Sequence, residues 1–347
     1  MRLLRLSNSH AIWLKLNSMK VAVIGAGAFG TALAVQLNRA TKSSFAKASE
    51  DKIKIWAFEE KVRDEINELH QNITYLPDIK LDEKIVATKN LTERYDYSDI
   101  VFLAPPFFAL RKVLPRAATE KIFVCASKGI EKDTHKLANQ IVEEIVSGDY
   151  KVAAISGPLF AKEVGMGLDT KVMVASTDLK VAEKIKNIVE TKNFKVEITD
   201  DVVGLELGGA LKNVLAILAG MAAGAQLGRD FTAAVFTEGL REIASLGKKM
   251  GAKEQTFYSV AGLGDLFLTT TSDQSRNFTF GYKLGSGTDV KEALAMKNAI
   301  EGVGTAESAY ALGKKFGVAT PLFYNVYATI FENKSPKEAL EDIWKAI

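Results

Sequence analysis

The chain has 347 residues, 47% of them hydrophobic and 25% charged, the composition of an ordinary soluble globular protein long enough for two domains with their own cores. Arg2, Arg5 and Lys15 in residues 1–18 account for the whole formal charge of +3, so the remainder sums to zero and carries no basic field for nucleic acid or an anionic membrane. The single cysteine, Cys125, excludes an internal disulfide and a thiolate-built zinc site; its apolar surroundings suit a buried thiol in a reducing cytoplasm.

Residues 1–18 mix cationic and apolar side chains, but Asn8, Ser9, His10 and Lys15 interrupt any signal-peptide core. Met19 immediately precedes the first strand pattern and is expected to be the natural start. Val21 to Ile24 form an apolar, mostly β-branched run. Gly25, Gly27 and Gly30 follow at G-x-G-x-x-G spacing, and a helical pattern begins at Thr31. This placement reads as a dinucleotide turn. Gly25 permits the bend, Gly27 clears a path for a pyrophosphate, and Gly30 lets helix and strand pack closely. The helix N-terminus offers free N–H groups to the phosphates.

Strands are expected at 20–24, 53–57, 99–104, 121–126 and 151–155, with helices between them, an alternation that predicts a parallel, doubly wound sheet. Residues 41–52 are small, polar and charged, and read as a surface insertion. After Trp56 the chain continues Ala57-Phe58-Glu59-Glu60, without an arginine. Two carboxylates at the end of the second strand suit a ribose 2′-hydroxyl and repel a 2′-phosphate, favouring NAD(H) over NADP(H). Lys61 and Arg63 on the following helix are the cations able to swing inward against that preference.

Beyond about residue 200 the β signals fade. Helices are expected at 203–225, 230–250, 254–261, 289–298, 302–316 and 321–333, with Pro336 opening a last one. The longest apolar run, Val214 to Ala225, is too short to span a bilayer and is expected to be a buried helix. The predicted fold is therefore a Rossmann domain over 19–200 followed by an all-α domain over 201–347.

Several clusters carry chemistry. Pro105 and Pro106 end a strand, either terminating it or lining a crevice. Lys128 follows the next strand, where it is either a solvated charge or a group reaching a phosphate or carbonyl oxygen. Ser156-Gly157-Pro158 ends another strand. Gly208 and Gly209 precede Lys212 in an apolar, small-residue helix; a lysine buried there loses proton affinity and serves as general acid or base, unless it is simply paired. Asp265, on the glycine-flanked segment 262–265, offers that partner. Residues Thr269 to Asn277 are dense in hydroxyl, amide and guanidinium donors, fitting either a phosphate site or a polar loop. All three histidines precede residue 136 and the second half has no cysteine, which disfavours dehydrogenases built on a late histidine or a thiol nucleophile.

Taken in order, Gly-Ala-Gly-Ala-Phe-Gly-Thr-Ala-Leu-Ala, Ala-Ser-Lys-Gly-Ile-Glu, Ile-Ser-Gly-Pro-x-Phe-Ala-Lys-Glu, Leu-Gly-Gly-Ala-Leu-Lys-Asn-Val, Ala-Gly-Leu-Gly-Asp-Leu and Ser-Arg-Asn make the chain from Met19 to about Ile343 resemble bacterial NAD(P)-dependent glycerol-3-phosphate dehydrogenases. The resemblance implies a typically dimeric enzyme that interconverts dihydroxyacetone phosphate and sn-glycerol 3-phosphate for phospholipid synthesis. It implies Lys212 as proton donor and acceptor and Lys128 as a contact to both cofactor and substrate. Gly157, Asp265, Ser275, Arg276 and Asn277 match substrate positions; Ala28, Phe29, Ala161, Arg276, Ile300 and Glu301 match cofactor positions, beside Gly25, Gly27, Gly30 and Phe58 of the nucleotide turn and second strand end. Leu159 stands where the family usually has Ser or Thr. Two rivals stay open: a related β-hydroxyacid dehydrogenase with a lysine acid, and a nucleotide-binding sensor without chemistry. No metal, no nucleic acid and no membrane span are expected.

Overall fold

The computed structural model describes residues 19–42, 53–295 and 300–347. The expected extension 1–18, nearly all of the expected insertion 41–52, and the end of the helix expected at 289–298 lie outside those residues.

The described chain divides into two compact units that interleave along the sequence. One comprises the chain up to Ala126, Val142–Ala153 and Leu159–Asp200; the other comprises Ser127–Ile141, Ala154–Pro158 and Asp201–Ile347.

The first unit is built on a sheet. β1 (Val21–Ile24) leads through α1 (Ala28–Lys42) to β2 (Ile53–Trp56), α2 (Glu60–Glu68), a small antiparallel hairpin of β3 (Gln71–Asn72) and β4 (Leu76–Lys80), and β5 (Ile85–Thr88). α3 (Leu91–Tyr97), β6 (Ile100–Leu103), α4 (Leu110–Val113), β7 (Ala117–Cys125), α5 (Ala138–Ile145), β8 (Ser147–Ser156), α6 (Ala161–Met166), β9 (Thr170–Ala175), α7 (Leu179–Val189) and β10 (Phe194–Thr199) follow. The eight-stranded order is β10-β9-β8-β7-β6-β1-β2-β5. The pairs of β1 with β2 and β6, β2 with β5, β6 with β7, and β9 with β10 are parallel. Every residue of β1 and β6 is buried, as expected of central parallel strands covered on both faces.

The chain reverses its direction of sheet growth between β1 and β6. Such a switch point opens a crevice beyond the carboxyl ends of the strands, and the glycine turn lies there. The sheet is larger than the sequence reading expected. β9 and β10 extend it on one side, and β10 alternates burial as an outer strand does, so its short period-two signal was weaker than that of the continuous apolar strands.

The second unit is helical. α8 (Val202–Gly224) is its axis, 23 residues long and buried almost throughout. It is long and apolar enough to cross a bilayer, with mean hydropathy 1.6, but 94% of that window is buried inside the protein, so it reads as a core helix. Around it stand α9 (Gly228–Lys249), α10 (Glu254–Phe257), α11 (Asp265–Thr270), α12 (Arg276–Gly285), α13 (Val290–Leu294), α14 (Glu301–Phe316), α15 (Pro321–Phe331) and α16 (Pro336–Ala346).

Two expectations change here. The helix expected at 254–261 stops at Phe257, and the glycine-flanked turn at 262–265 belongs to a π-helical turn, Val260–Gly264, that runs directly into α11; the donor-rich segment 269–277 closes α11 and opens α12. Polar donors on these short helices hid their periodicity. α12 and α8 cross with their backbones almost touching: a Cβ at Gly281 would stand 1.9 Å from the Ile217 carbonyl oxygen, and one at Gly220 would stand 2.1 Å from that of Phe278. Only glycine allows this approach. It brings the first turn of α12 alongside the middle of α8.

Candidate active site

In the first unit, the strand-to-helix turn has the geometry that its glycines demand. Gly25 takes φ +113°, and a Cβ there would lie 2.6 Å from the Ala104 carbonyl oxygen, at the end of β6. A Cβ on Gly30 would lie 1.9 Å from the Gly25 carbonyl oxygen. At Gly27 nothing among the described residues lies within 4 Å of that position, so the turn leaves open space where a pyrophosphate would sit. Ala28 and Phe29 begin α1, whose first turn carries no acid to oppose an anion. This cradle fits a dinucleotide.

Ala161 starts α6, which is tied to α1 by Arg39: its guanidinium donates to the Val164 carbonyl at 2.6 Å and to the Gly165 carbonyl. Phe58 follows β2 and is largely exposed, its ring 6.2 Å from that of Trp56. Glu59 accepts a hydrogen bond from the Tyr75 hydroxyl at 2.8 Å. Both nearby cations are engaged: Arg63 donates to the Ala57 and Phe58 carbonyls at 3.1 and 2.8 Å, and Lys61 lies 3.7 Å from Glu65.

In the second unit, Lys128, Gly157, Lys212 and Asp265 come together. Asp265 is fully buried, and its carboxylate bridges two ammonium groups. Lys128 donates to Oδ2 at 2.6 Å, and Lys212 donates to Oδ1. Lys128 also reaches the Gly157 carbonyl at 3.0 Å, and Lys212 the Thr269 hydroxyl at 2.8 Å. Burial draws the Lys212 pKa down to about 7, with Asp265 opposing that fall and Lys128 adding to it. The site therefore holds a lysine able both to give and to take a proton near neutral pH. Gly209, one turn before Lys212, leaves room for Ser156: a Cβ there would stand 2.8 Å from Ser156 Oγ, which is buried and has no hydrogen-bond partner among the described residues.

Ser275, Arg276 and Asn277 open α12. Ser275 caps the helix, its hydroxyl accepting from the Phe278 N–H at 3.3 Å. Arg276 is exposed and, among the described residues, makes no salt bridge. The Asn277 amide is committed within the protein, donating to Asn213 Oδ1 at 3.0 Å and accepting from the Gly302 N–H at 2.9 Å. Ile300 and Glu301 begin α14 directly before Gly302, so Asn277 joins α8, α12 and the start of α14. Thr269 and Asn213 touch these groups although no spacing in the sequence assigns them; the donor-rich run around Thr269 and the lysine before Asn213 were the available signals. Among the described residues no cluster of three or more His, Cys, Asp or Glu could hold a metal ion.

Family models for the N-terminus and the C-terminus of NAD-dependent glycerol-3-phosphate dehydrogenase match residues 20–182 and 201–341. The glycerol-3-phosphate dehydrogenase (NAD(P)+) of Citrifermentans bemidjiense is 41% identical over 331 residues, covering 93% of this chain and 96% of that protein. The protein of that name from Staphylococcus aureus (strain USA300 / TCH1516) is 38% identical over 331 residues, covering 93% of this chain and 97% of its own length. Among solved structures, glycerol-3-phosphate dehydrogenase from Coxiella burnetii superimposes with a TM-score of 0.86 at 32% identity, covering 94% of this chain and 99% of that one.

Proposed function

The chain belongs to the NAD-dependent glycerol-3-phosphate dehydrogenase family, and from that premise we propose that it interconverts dihydroxyacetone phosphate and sn-glycerol 3-phosphate, with Lys212 as the acid and base of the reaction. The observation that carries the role of Lys212 is its bond to a buried carboxylate in a site that lowers its proton affinity. A carbonyl gaining a hydride becomes an alkoxide, and a proton donor must meet it there.

In the reducing direction the Lys212 ammonium gives its proton to the carbonyl oxygen; in the oxidising direction the neutral amine takes the hydroxyl proton. Asp265 and Thr269 hold the Lys212 Nζ in place. Lys128, the more exposed of the two lysines, polarises the same oxygen. The Arg276 fork and the free N–H groups at the start of α12 hold the substrate phosphate, which fixes the reacting carbon. With its amide committed, Asn277 offers the phosphate its backbone N–H and keeps α12 in register with α8. Gly25, Gly27, Ala28, Phe29 and Gly30 hold the dinucleotide pyrophosphate, and Phe58 with Glu59 meets its adenosine end, in a site that prefers NAD(H). When bound, the nicotinamide supplies or accepts the hydride. Ala161, Lys128, Arg276, Ile300 and Glu301 complete the cofactor contacts.

This reading places the enzyme in the cytoplasm as a homodimer supplying phospholipid synthesis. The single, buried Cys125 suits a reducing compartment, and sedimentation would report the assembly. The deciding experiment follows oxidation of reduced nicotinamide cofactor with and without dihydroxyacetone phosphate. Oxidation that depends on the phosphate ester and stops in Lys212→Met is expected. Reduction of a carboxylate-bearing ketone in its place would hand the chain to the β-hydroxyacid reading.

A further inference from the structure

The β3–β4 hairpin is pinned at two adjacent points of the nucleotide-binding unit. Asn72 is completely buried, and its amide donates to the Ala26 carbonyl at 2.9 Å and to the Thr31 hydroxyl at 2.8 Å, one residue on each side of the glycine turn's bend into α1. Two residues later, Thr74 donates its N–H and its hydroxyl to the Glu65 carboxylate of α2, both at 2.9 Å. Tyr75, next in the chain, donates its N–H to Asn72 Oδ1 at 3.1 Å and its hydroxyl to Glu59 Oε2 at 2.8 Å. A continuous set of hydrogen bonds therefore runs from the phosphate-binding turn to the carboxylate at the end of β2.

That carboxylate has an alternative it does not take. Glu59 occupies the N-cap position of α2 in extended conformation, where an acidic side chain ordinarily turns back onto the free N–H groups of its own helix. Here it makes no cap bond, and the Tyr75 hydroxyl holds it. Among the described residues Glu59 Oε1 has no protein donor, so one oxygen is held while the other remains to accept from a ligand. The hydrogen bond to Glu59, with burial, raises the Tyr75 pKa, so the hydroxyl keeps its proton throughout the neutral range.

We propose that Tyr75 is the residue that sets cofactor choice, holding Glu59 so that its carboxylate accepts from an adenosine ribose 2′-hydroxyl and stands against a 2′-phosphate, with Asn72 tying that carboxylate to the pyrophosphate turn. The proposal rests on the reading of the site as an NAD(H) site and deepens it. Tyr75 is a positioning residue: it acts on the ribose through Glu59. Freed from it, the carboxylate folds onto α2 or into solvent, and both the attraction for the hydroxyl and the repulsion of the phosphate weaken.

The test is equilibrium binding by calorimetry of adenosine diphosphate ribose and its 2′-phosphorylated form to the full chain, as wild type, Tyr75→Phe, Glu59→Ala and the double variant. Phenylalanine keeps the ring and the packing and deletes only the donor. We expect Tyr75→Phe to weaken adenosine diphosphate ribose by about fivefold, to leave the 2′-phosphorylated form equal or tighter, and so to lower the selectivity ratio by about fivefold or more. In the Glu59→Ala background the same substitution should change the ratio no further, because its only route is gone. A ratio unmoved in Tyr75→Phe but collapsed in Glu59→Ala overturns the proposal and leaves the NAD(H) reading standing. A ratio unmoved in Glu59→Ala overturns both. Neither result touches the dehydrogenase reading, which depends on dihydroxyacetone phosphate.

Discussion

Lys128 donates to Asp265 at 2.6 Å from a side chain that is 19% exposed, while the opposite oxygen of the same carboxylate serves the deeper Lys212. One buried negative charge is thus shared between two ammonium groups. Removing it leaves both lysines without a counter-charge, and the more buried one gives up its proton first. Asp265→Asn should therefore depress the Lys212 pKa further and reduce turnover by at least ~10²-fold with the fold intact by circular dichroism. Lys212→Met, which keeps the stem and deletes the ammonium, should lose a similar factor. Near-normal turnover in either variant would remove Lys212 from the reaction.

The low proton affinity of Lys212 sets opposite pH profiles for the two directions. Burial brings its pKa to about 7. Reduction of dihydroxyacetone phosphate needs the ammonium, so its kcat should fall as pH rises through about 7. Oxidation of glycerol 3-phosphate needs the amine, so its kcat should rise over the same window. Profiles of the same sign in both directions would assign the titration to another group.

Arg276 stands exposed at the start of α12 without a salt-bridge partner among the described residues, next to a capped helix end. Lysine keeps the charge and loses the paired fork. Arg276→Lys should raise KM for dihydroxyacetone phosphate, costing about 1–3 kcal/mol in kcat/KM, and should leave the binding of adenosine diphosphate ribose unchanged. If kcat/KM matches wild type, the phosphate is held elsewhere.

Glu242 reports on stability away from the site. It is buried on α9, accepts from the Leu322 N–H at 2.7 Å at the start of α15, and burial lifts its pKa to about 8. A folded-state pKa raised above the unfolded value adds stability that is complete below about 4.5 and is lost as pH climbs through about 8. Glu242→Gln keeps an acceptor for the Leu322 N–H and removes the charge. The variant should lose less stability than wild type between pH 5 and pH 8, a difference on the order of 3 kcal/mol in denaturant unfolding. Parallel pH dependences for the two proteins would show that Glu242 is ionised in the fold without cost.

Deleting residues 1–18, or residues 43–52 with a short polar link, should leave kcat/KM within about twofold, since both stretches lack the periodicity of a packed element. Loss of soluble protein on either deletion would show that the stretch packs on the core.

The glycine turn, the passage from a sheet-built part to a helical part and the candidate lysine were legible in the sequence alone, because each rests on local information. A β-branched run before G-x-G-x-x-G, the change from alternating strands to successive helices near residue 200, and a lysine set in an apolar helix are all legible over a few residues. Which groups meet follows from contacts between distant segments of the chain. Lys128 and Lys212 lie far from Asp265 in the chain and share its carboxylate only in the folded protein, where Lys128, after β7, passes close to Gly209 of α8 and Asp265 opens α11. Whether Arg63 reached toward the ribose or, as found, bonded to the carbonyls after β2 also depended on the fold. So did the hold of Tyr75 on Glu59: their spacing carries no signal, since it is the buried Asn72 that carries the hairpin back to the nucleotide turn.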